Sequence, residues 1–193
     1  MKRSLLVAAT VALCSLPAAA NAQGLGILGG WSYSQVPSTN ATGAGSYTAN
    51  SGFAIGVGAE SGGILGFGIN AMYAQRGFTN STPGFGDKVS YIDIPVYLRV
   101  SIPNPVVVPF ALAGPQVSFQ VNCDAGGGVD CPDTGDKTTW SAIAGIGVRF
   151  PMVAGLSVQG RYVYALKDLN YGTINNQSNY RQRSFEILLG LGF

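Results

Sequence analysis

The chain contains no histidine, and only 10% of its residues are charged. Without an imidazole, Ser-His-Asp hydrolysis, Cys-His nucleophiles and histidine-bound zinc are all excluded. Low charge combined with 47% apolar residues argues against disorder, because disordered chains pair low hydrophobicity with high net charge. Cysteine is scarce, at 3 residues. Beyond residue 22 no stretch offers the roughly 18 consecutive apolar residues that a transmembrane helix needs. Glycine, by contrast, accounts for 28 of 193 residues. This length suits one domain with a sizeable barrel or sandwich. A charged fraction well below the usual quarter or so then asks where the apolar surface goes.

Residues 1–22 answer part of that question. Lys2 and Arg3 form a basic start, Ser4 to Leu16 an apolar stretch, and Ala20-Asn21-Ala22 a small-x-small cleavage site. A membrane anchor is the rival, but the apolar run is short and breaks at Pro17. A lipid anchor at Cys14 is disfavoured by bulky Leu13 before it. The segment reads as a signal peptide, leaving residues 23–193 as the domain. Losing Lys2 and Arg3 lowers the eleven basic residues to nine, equal to the nine acidic ones. The +2 charge therefore belongs to the export signal, and no clustered Lys/Arg footprint for nucleic acid remains. Cys14 leaves as well. Cys123 and Cys131 remain, and in an oxidising compartment a disulfide between them is expected, a free-thiol or metal pair being the alternative.

The period of the mature chain is two. In Val89 to Ile102, Ile92, Ile94, Val96, Leu98, Val100 and Ile102 share one face; Tyr91, Asp93, Pro95, Tyr97, Arg99 and Ser101 share the other. The same alternation predicts strands over Gly24–Gln35, Gly52–Glu60, Ile64–Arg76, Val89–Ile102, Val106–Gln120, Thr138–Phe150, Gly155–Leu169 and Gln182–Phe193. In the fifth, the apolar phase shifts near Gly114-Pro115, from Phe110 and Leu112 to Val117 and Phe119, and a bulge is expected there. Connections alternate between tight turns (Ser61-Gly62-Gly63, Pro103-Asn104-Pro105, Pro151 to Ala154) and long polar loops (Val36–Ser51, Gly77–Lys88, Val121–Lys137, Asn170–Arg181). An even number of antiparallel strands with short turns at one end and long loops at the other is the layout of an outer-membrane barrel.

Face chemistry separates this from a soluble, lipid-binding barrel. Eight strands enclose only enough room for side chains to fill the interior. The bulky apolar face is too large for that interior, whereas the opposite face of Gly, Ala, Ser and a few charges suits it. The bulky face is therefore assigned to lipid. Tyr33, Phe53, Tyr73, Trp140, Tyr164 and Phe185 fall toward the long-loop end, and Phe110, Phe150 and Phe193 toward the short-turn end, as two interfacial girdles. The fold class expected is all-β, an eight-stranded antiparallel up-and-down transmembrane β-barrel.

The stretches Ile69-Asn70-Ala71-Met72-Tyr73-Ala74-Gln75-Arg76-Gly77, Tyr91-Ile92-Asp93-Ile94-Pro95-Val96-Tyr97-Leu98 and Pro109 to Gly114-Pro115 resemble the porin-like (PorT-type) outer-membrane β-barrel domain family of bacteria. Gly155-Leu156-Ser157-Val158-Gln159-Gly160-Arg161-Tyr162 and Leu189-Gly190-Leu191-Gly192-Phe193 are similar as well. The resemblance spans essentially the whole mature chain and is most specific in Tyr-x-Asp-Ile-Pro. Asn70 stands where such domains often carry Glu, which removes one lumen charge. The terminal Phe193 is similar to the assembly signal of such barrels. The resemblance thus implies the barrel-assembly machinery and periplasmic chaperones as partners in biogenesis, with outer-membrane lipids and lipopolysaccharide around the finished protein.

Alternation places Glu60, Asp93 and Glu186 in the lumen with Arg76, Arg99, Arg149 and Arg161, accompanied by Asn70, Tyr91, Tyr97 and Gln159. Charges in a narrow tube must pair or hydrogen-bond. A salt-bridged plug is the expectation; a narrow conducting lumen for ions or very small solutes is the alternative. No catalytic, metal or cofactor residues are assigned, and enzymatic activity is not expected. The loop carrying Cys123 and Cys131 also holds Asp124, Asp130, Asp133 and Asp136. It reads as a stapled solvated loop, with a weak divalent-cation site or adhesive tip as the sharper reading. The function expected is structural or surface-interacting: an integral outer-membrane barrel presenting four loops to the exterior.

Overall fold

The computed structural model describes residues 24–35, 47–80, 86–125, 129–130, 137–166 and 183–192. These form strands β1 (Leu25–Gln35), β2 (Tyr47–Glu60), β3 (Leu65–Asn80), β4 (Gly86–Ser101), β5 (Val108–Ala125), β6 (Val129–Asp130), β7 (Thr138–Phe150), β8 (Leu156–Ala165) and β9 (Arg183–Leu191). Every neighbouring pair is antiparallel. β1 pairs with both β2 and β9, and β4 pairs with both β3 and β5, so the sheet closes on itself. Eight long strands make the barrel, and the two-residue β6 only extends the upper end of β5. Closure leaves no barrel strand with an unpaired edge, which is what hydrocarbon demands of backbone N–H and C=O groups. No helix among the described residues is long and apolar enough to cross a membrane.

The barrel is inside-out relative to a soluble domain. Along β9, Phe185, Ile187, Leu189 and Leu191 are exposed while Ser184, Glu186, Leu188 and Gly190 are buried. Ile55, Val57, Leu98, Val100 and Ile146 are likewise exposed on the outer wall, whereas most of the buried polar residues are serines, glutamines and charges lining the interior. Tyr33, Phe53, Trp140 and Phe185 are exposed toward the long-loop end, joined by Trp31, which stands between Phe53 and Ile187 in the register.

Glycine makes room inside the lumen. Large inward side chains face glycines directly across the ladder: Tyr97 faces Gly68, Asn70 faces Gly58, and Phe110 faces Gly147. A Cβ on Gly68 would overlap the Tyr97 ring, and one on Gly58 would overlap the Asn70 carboxamide. The abundance of glycine thus serves close packing inside a narrow tube.

Three expectations are corrected. The fifth strand has no bulge at Gly114-Pro115: its register with β7 runs without interruption from Val108 to Phe119. Phe110 and Leu112 are buried because the lumen accepts apolar side chains near the short-turn end, so the phase change in the sequence is a change of lumen chemistry. For the same reason Phe110 is not part of a lipid-facing girdle. Its ring lies inside, with the Arg99 guanidinium 5.5 Å from its centroid. The true irregularities sit nearer the long loops, between Ala49 and Ala54 of β2 and at the Ser90/Tyr91 step of β4. Finally, β2 to β5 run further into the long loops than alternation predicts, through polar segments such as Tyr47–Asn50 and Val121–Ala125.

The outward assignment has a direct test. Ile187→Arg, at the middle of the outer face of β9, is expected to cost about 2–4 kcal/mol of folding stability in phosphatidylcholine vesicles, and Met152→Arg in the exposed β7–β8 turn no more than about 1 kcal/mol. Reversible denaturant titrations followed by heat-modifiable gel mobility read both values. Equal costs would contradict the assignment.

Candidate functional site

The lumen gathers the chain's buried chemistry into layers. Nearest the short turns, Glu60 at the end of β2 accepts from both Arg99 of β4 and Arg149 of β7 through Oε2. Its other oxygen, Oε1, accepts from the Tyr97 hydroxyl at 2.6 Å. β2 and β7 lie on opposite sides of the barrel, so this one carboxylate ties the two walls together. Arg149 is half-buried at the mouth, while Glu60, Tyr97 and Arg99 are buried.

In the middle layer, Arg161 of β8 is 1% exposed and reaches across to Met72 of β3, 3.6 Å from its sulfur. Its Nη2 donates to Gln159 Oε1 at 3.3 Å, and its guanidinium lies 5.2 Å from the Tyr97 ring centroid. With its amide oxygen toward Arg161, Asn70 accepts from both terminal nitrogens, at 3.1 and 2.9 Å, and donates to the Tyr97 hydroxyl and the Ile69 carbonyl. Glu186 sits directly opposite Arg161 in the register, yet its carboxylate turns to Arg76. Among the described residues, then, Arg161 is held by neutral groups.

Above it, Arg76 of β3 bridges Asp93 of β4 and, at 3.1 Å, Glu186 of β9, again across the tube. The Tyr91 ring lies 5.5 Å beneath the same guanidinium. Beyond this layer Ser34 and Ser184 meet at 3.0 Å, while within it Ser118, opposite Asp93, accepts from Gln116 at 3.2 Å. The void between Arg76, Tyr91, Ser118 and Ser141 measures about 10 Å³, at the lower limit for a single water. On the short-turn side the lumen opens as a vestibule of about 680 Å³ floored by Arg99 and Arg149.

A closed, inside-out barrel with an apolar outer wall and a charged, packed interior is the build of an outer-membrane protein. The family model of the outer membrane protein beta-barrel domain matches residues 6–193. The chain belongs to that family. Neisserial surface protein A is similar in structure, with a TM-score of 0.52 and 17% identity over 90% of this chain and 100% of that one. The outer membrane enzyme PagL is similar too, with a TM-score of 0.51 and 14% identity over 86% of this chain and 99% of that one. At such identities the likeness concerns the fold alone. No curated protein sequence matches the chain.

In this outer-membrane barrel, side-chain parity brings the charged positions inward, but it does not say which of them meet. Met72, Phe110, Leu112, Ile143 and Val163, which share the interior with the charges, were not singled out as site residues in the sequence. Ser32, Ser34 and Ser184 line the interior as well: they share parity with Glu186 through the β1–β9 register, and a Ser-x-Ser pattern marks Ser32 and Ser34 in the sequence. Among the described residues no cluster of His, Cys, Asp or Glu is built to hold a metal. Residues 1–22, the Cys131 end of the expected disulfide and Phe193 lie outside the described residues.

Removing one shared acid should matter more than removing a single hydroxyl. Glu60→Gln, which strands two arginines, is expected to cost about 3–5 kcal/mol. Tyr97→Phe loses one buried hydrogen bond and is expected to cost about 1–3 kcal/mol. Denaturant titration in vesicles checks both, and a Glu60→Gln cost below that of Tyr97→Phe would contradict the shared-carboxylate geometry.

Proposed function

We propose that this protein is a plugged outer-membrane barrel, related to the porin-like PorT-type domains, whose work is structural or surface-interacting and carried by its four long loops. The observation that supports this most is the set of contacts across the tube. Arg149 meets Glu60, Arg161 meets Met72, and Arg76 meets Glu186, each between walls separated by intervening strands. An eight-stranded lumen has little width to begin with, and water-filled pores are built from about 16 strands. A chain without histidine also has no imidazole for acyl-chain or acyl-transfer chemistry, so the reading is non-enzymatic.

The signal peptide over residues 1–22 is the proposed export device, and Phe193 the proposed assembly signal, with the assembly machinery and periplasmic chaperones as partners during biogenesis and lipopolysaccharide and phospholipid around the finished barrel. Cys123 and Cys131 are proposed to form a disulfide that staples the third long loop. A maleimide reagent applied to the denatured, unreduced protein is expected to label neither cysteine, and labelling of both would overturn the staple.

Planar-bilayer recordings test the plug. The purified protein is expected to give no steady unitary conductance. Steady openings that scale with salt concentration would replace this reading with narrow transport of ions or very small solutes.

A further inference from the structure

The geometry points to an oxyanion-binding site in the short-turn vestibule, formed by Arg149, Arg99 and Ser101 and suited to a carboxylate or phosphate group. The inference needs only the barrel and its lumen, and stands independently of any role for the long loops.

Three observations meet at this place. The first is charge. Glu60 is the only acid that Arg99 and Arg149 reach among the described residues, and both use the same oxygen, Oε2. Two guanidiniums against one carboxylate leave one positive charge in excess among the described side chains. The three short turns that frame the opening, residues 61–64, 102–107 and 151–155, contain no charged side chain to balance it.

The second is unused hydrogen-bonding capacity. Nε of Arg99 and Nε of Arg149 are buried without partners, as are those of Arg76 and Arg161, so what is particular to the vestibule is that the hydroxyl of Ser101 is buried without a partner beside them. Ser101 is 4% exposed and lines the vestibule together with both arginines. Unpaired buried donors are costly, so a ligand that satisfies them recovers part of that cost. Charge-assisted bonds from arginine to carboxylate or phosphate are the strong form of such contacts.

The third is access and shape. The vestibule holds about 680 Å³ and opens between Gly24, Gly63, Asn104, Gly155 and Gly192, at the end that faces the periplasm in barrels of this layout. Above its floor the tube is closed by Tyr97, Asn70 and Arg161, so an entering anion stops at the guanidinium pair. The site is a dead-end pocket with its positive charge at the bottom. Mouth residues such as Pro103, Pro105 and Pro151 are rigid and carry no N–H of their own, and Asn104 Oδ1 is taken by the Val106 and Val107 amides, so the arginines and Ser101 are the principal polar side chains of the site.

The test uses the full-length protein folded in detergent micelles, with 15N-labelled arginine. Inorganic phosphate and acetate are titrated separately at constant ionic strength, with sodium chloride making up the balance, and the Nε–H resonances of Arg99 and Arg149 are followed. Saturable shifts with phosphate alone would support a phosphate-bearing ligand, with acetate alone a carboxylate, and with both a general oxyanion site. Arg149→Gln is expected to weaken binding at least about tenfold. Ser101→Ala, which leaves every ion pair intact, is expected to weaken it about three- to tenfold. Heat-modifiable mobility confirms that each variant is folded, and the serine variant carries the test if the arginine variant is not. Shifts that rise linearly without saturation, or that are unchanged in folded Ser101→Ala, would overturn the site.

Discussion

Within the hydrocarbon of a bilayer no water is available to a backbone N–H or C=O, so every spanning strand needs a partner on both sides. In this chain sequential hairpins pair most strands, and the requirement is completed by one ladder between distant segments, β1 with β9. The rest of the architecture follows from closing the ring. With lipid outside, the outer wall must be apolar, which explains Ile55, Val57, Ile187 and Leu189 standing exposed. With eight strands the ring is narrow, and the polar half of each strand is confined to a tube that side chains must fill.

Filling that tube with charge creates the second constraint. A buried ion is tolerable only when paired and hydrogen-bonded, and pairing inside a barrel means reaching across it. Glu60 does so toward Arg149, and Glu186 toward Arg76. Glycines opposite the largest side chains provide the space, Gly68 for Tyr97 and Gly58 for Asn70. The charges are unevenly shared along the axis. Arg76 sits between two acids, Arg161 among neutral groups, and Glu60 between two arginines. The lumen is consequently more acidic toward the long loops and more basic toward the short turns.

The strands that were most legible in the sequence are those whose outer face is continuously apolar, such as β4 from Tyr91 to Ser101 and β9 from Arg183 to Leu191. Where strands run on past the apolar stretches, as in Tyr47–Asn50 or Val121–Ala125, the bulky apolar residues thin out among Thr, Asn, Ala and Asp, and the ladder continues with only a weak sequence signal. The reverse failure occurred at Phe110 and Leu112. Two apolar residues on the inner parity imitated a change of phase, because lumen and lipid both accept hydrophobic side chains at that depth. Arg99 stacked on Phe110 shows how a charge and an aromatic ring share that space.

By itself the sequence determined the period, and with it the faces: a residue's side of a strand is a local property, alternating with each step along the chain. It also determined the class, because a bulky apolar face opposite a small, polar one has a single sensible arrangement around eight strands. Partnership was decided only by the tertiary structure. Glu60 and Arg149 are 89 residues apart, and Arg76 and Glu186 are 110 apart. Which inward charges stand at the same height depends on strand stagger and on how the ring closes, and neither is encoded by any short stretch of chain. The excess positive charge at the vestibule floor belongs to that second category: three residues from three strands acquire it only when closure brings them to one oxygen.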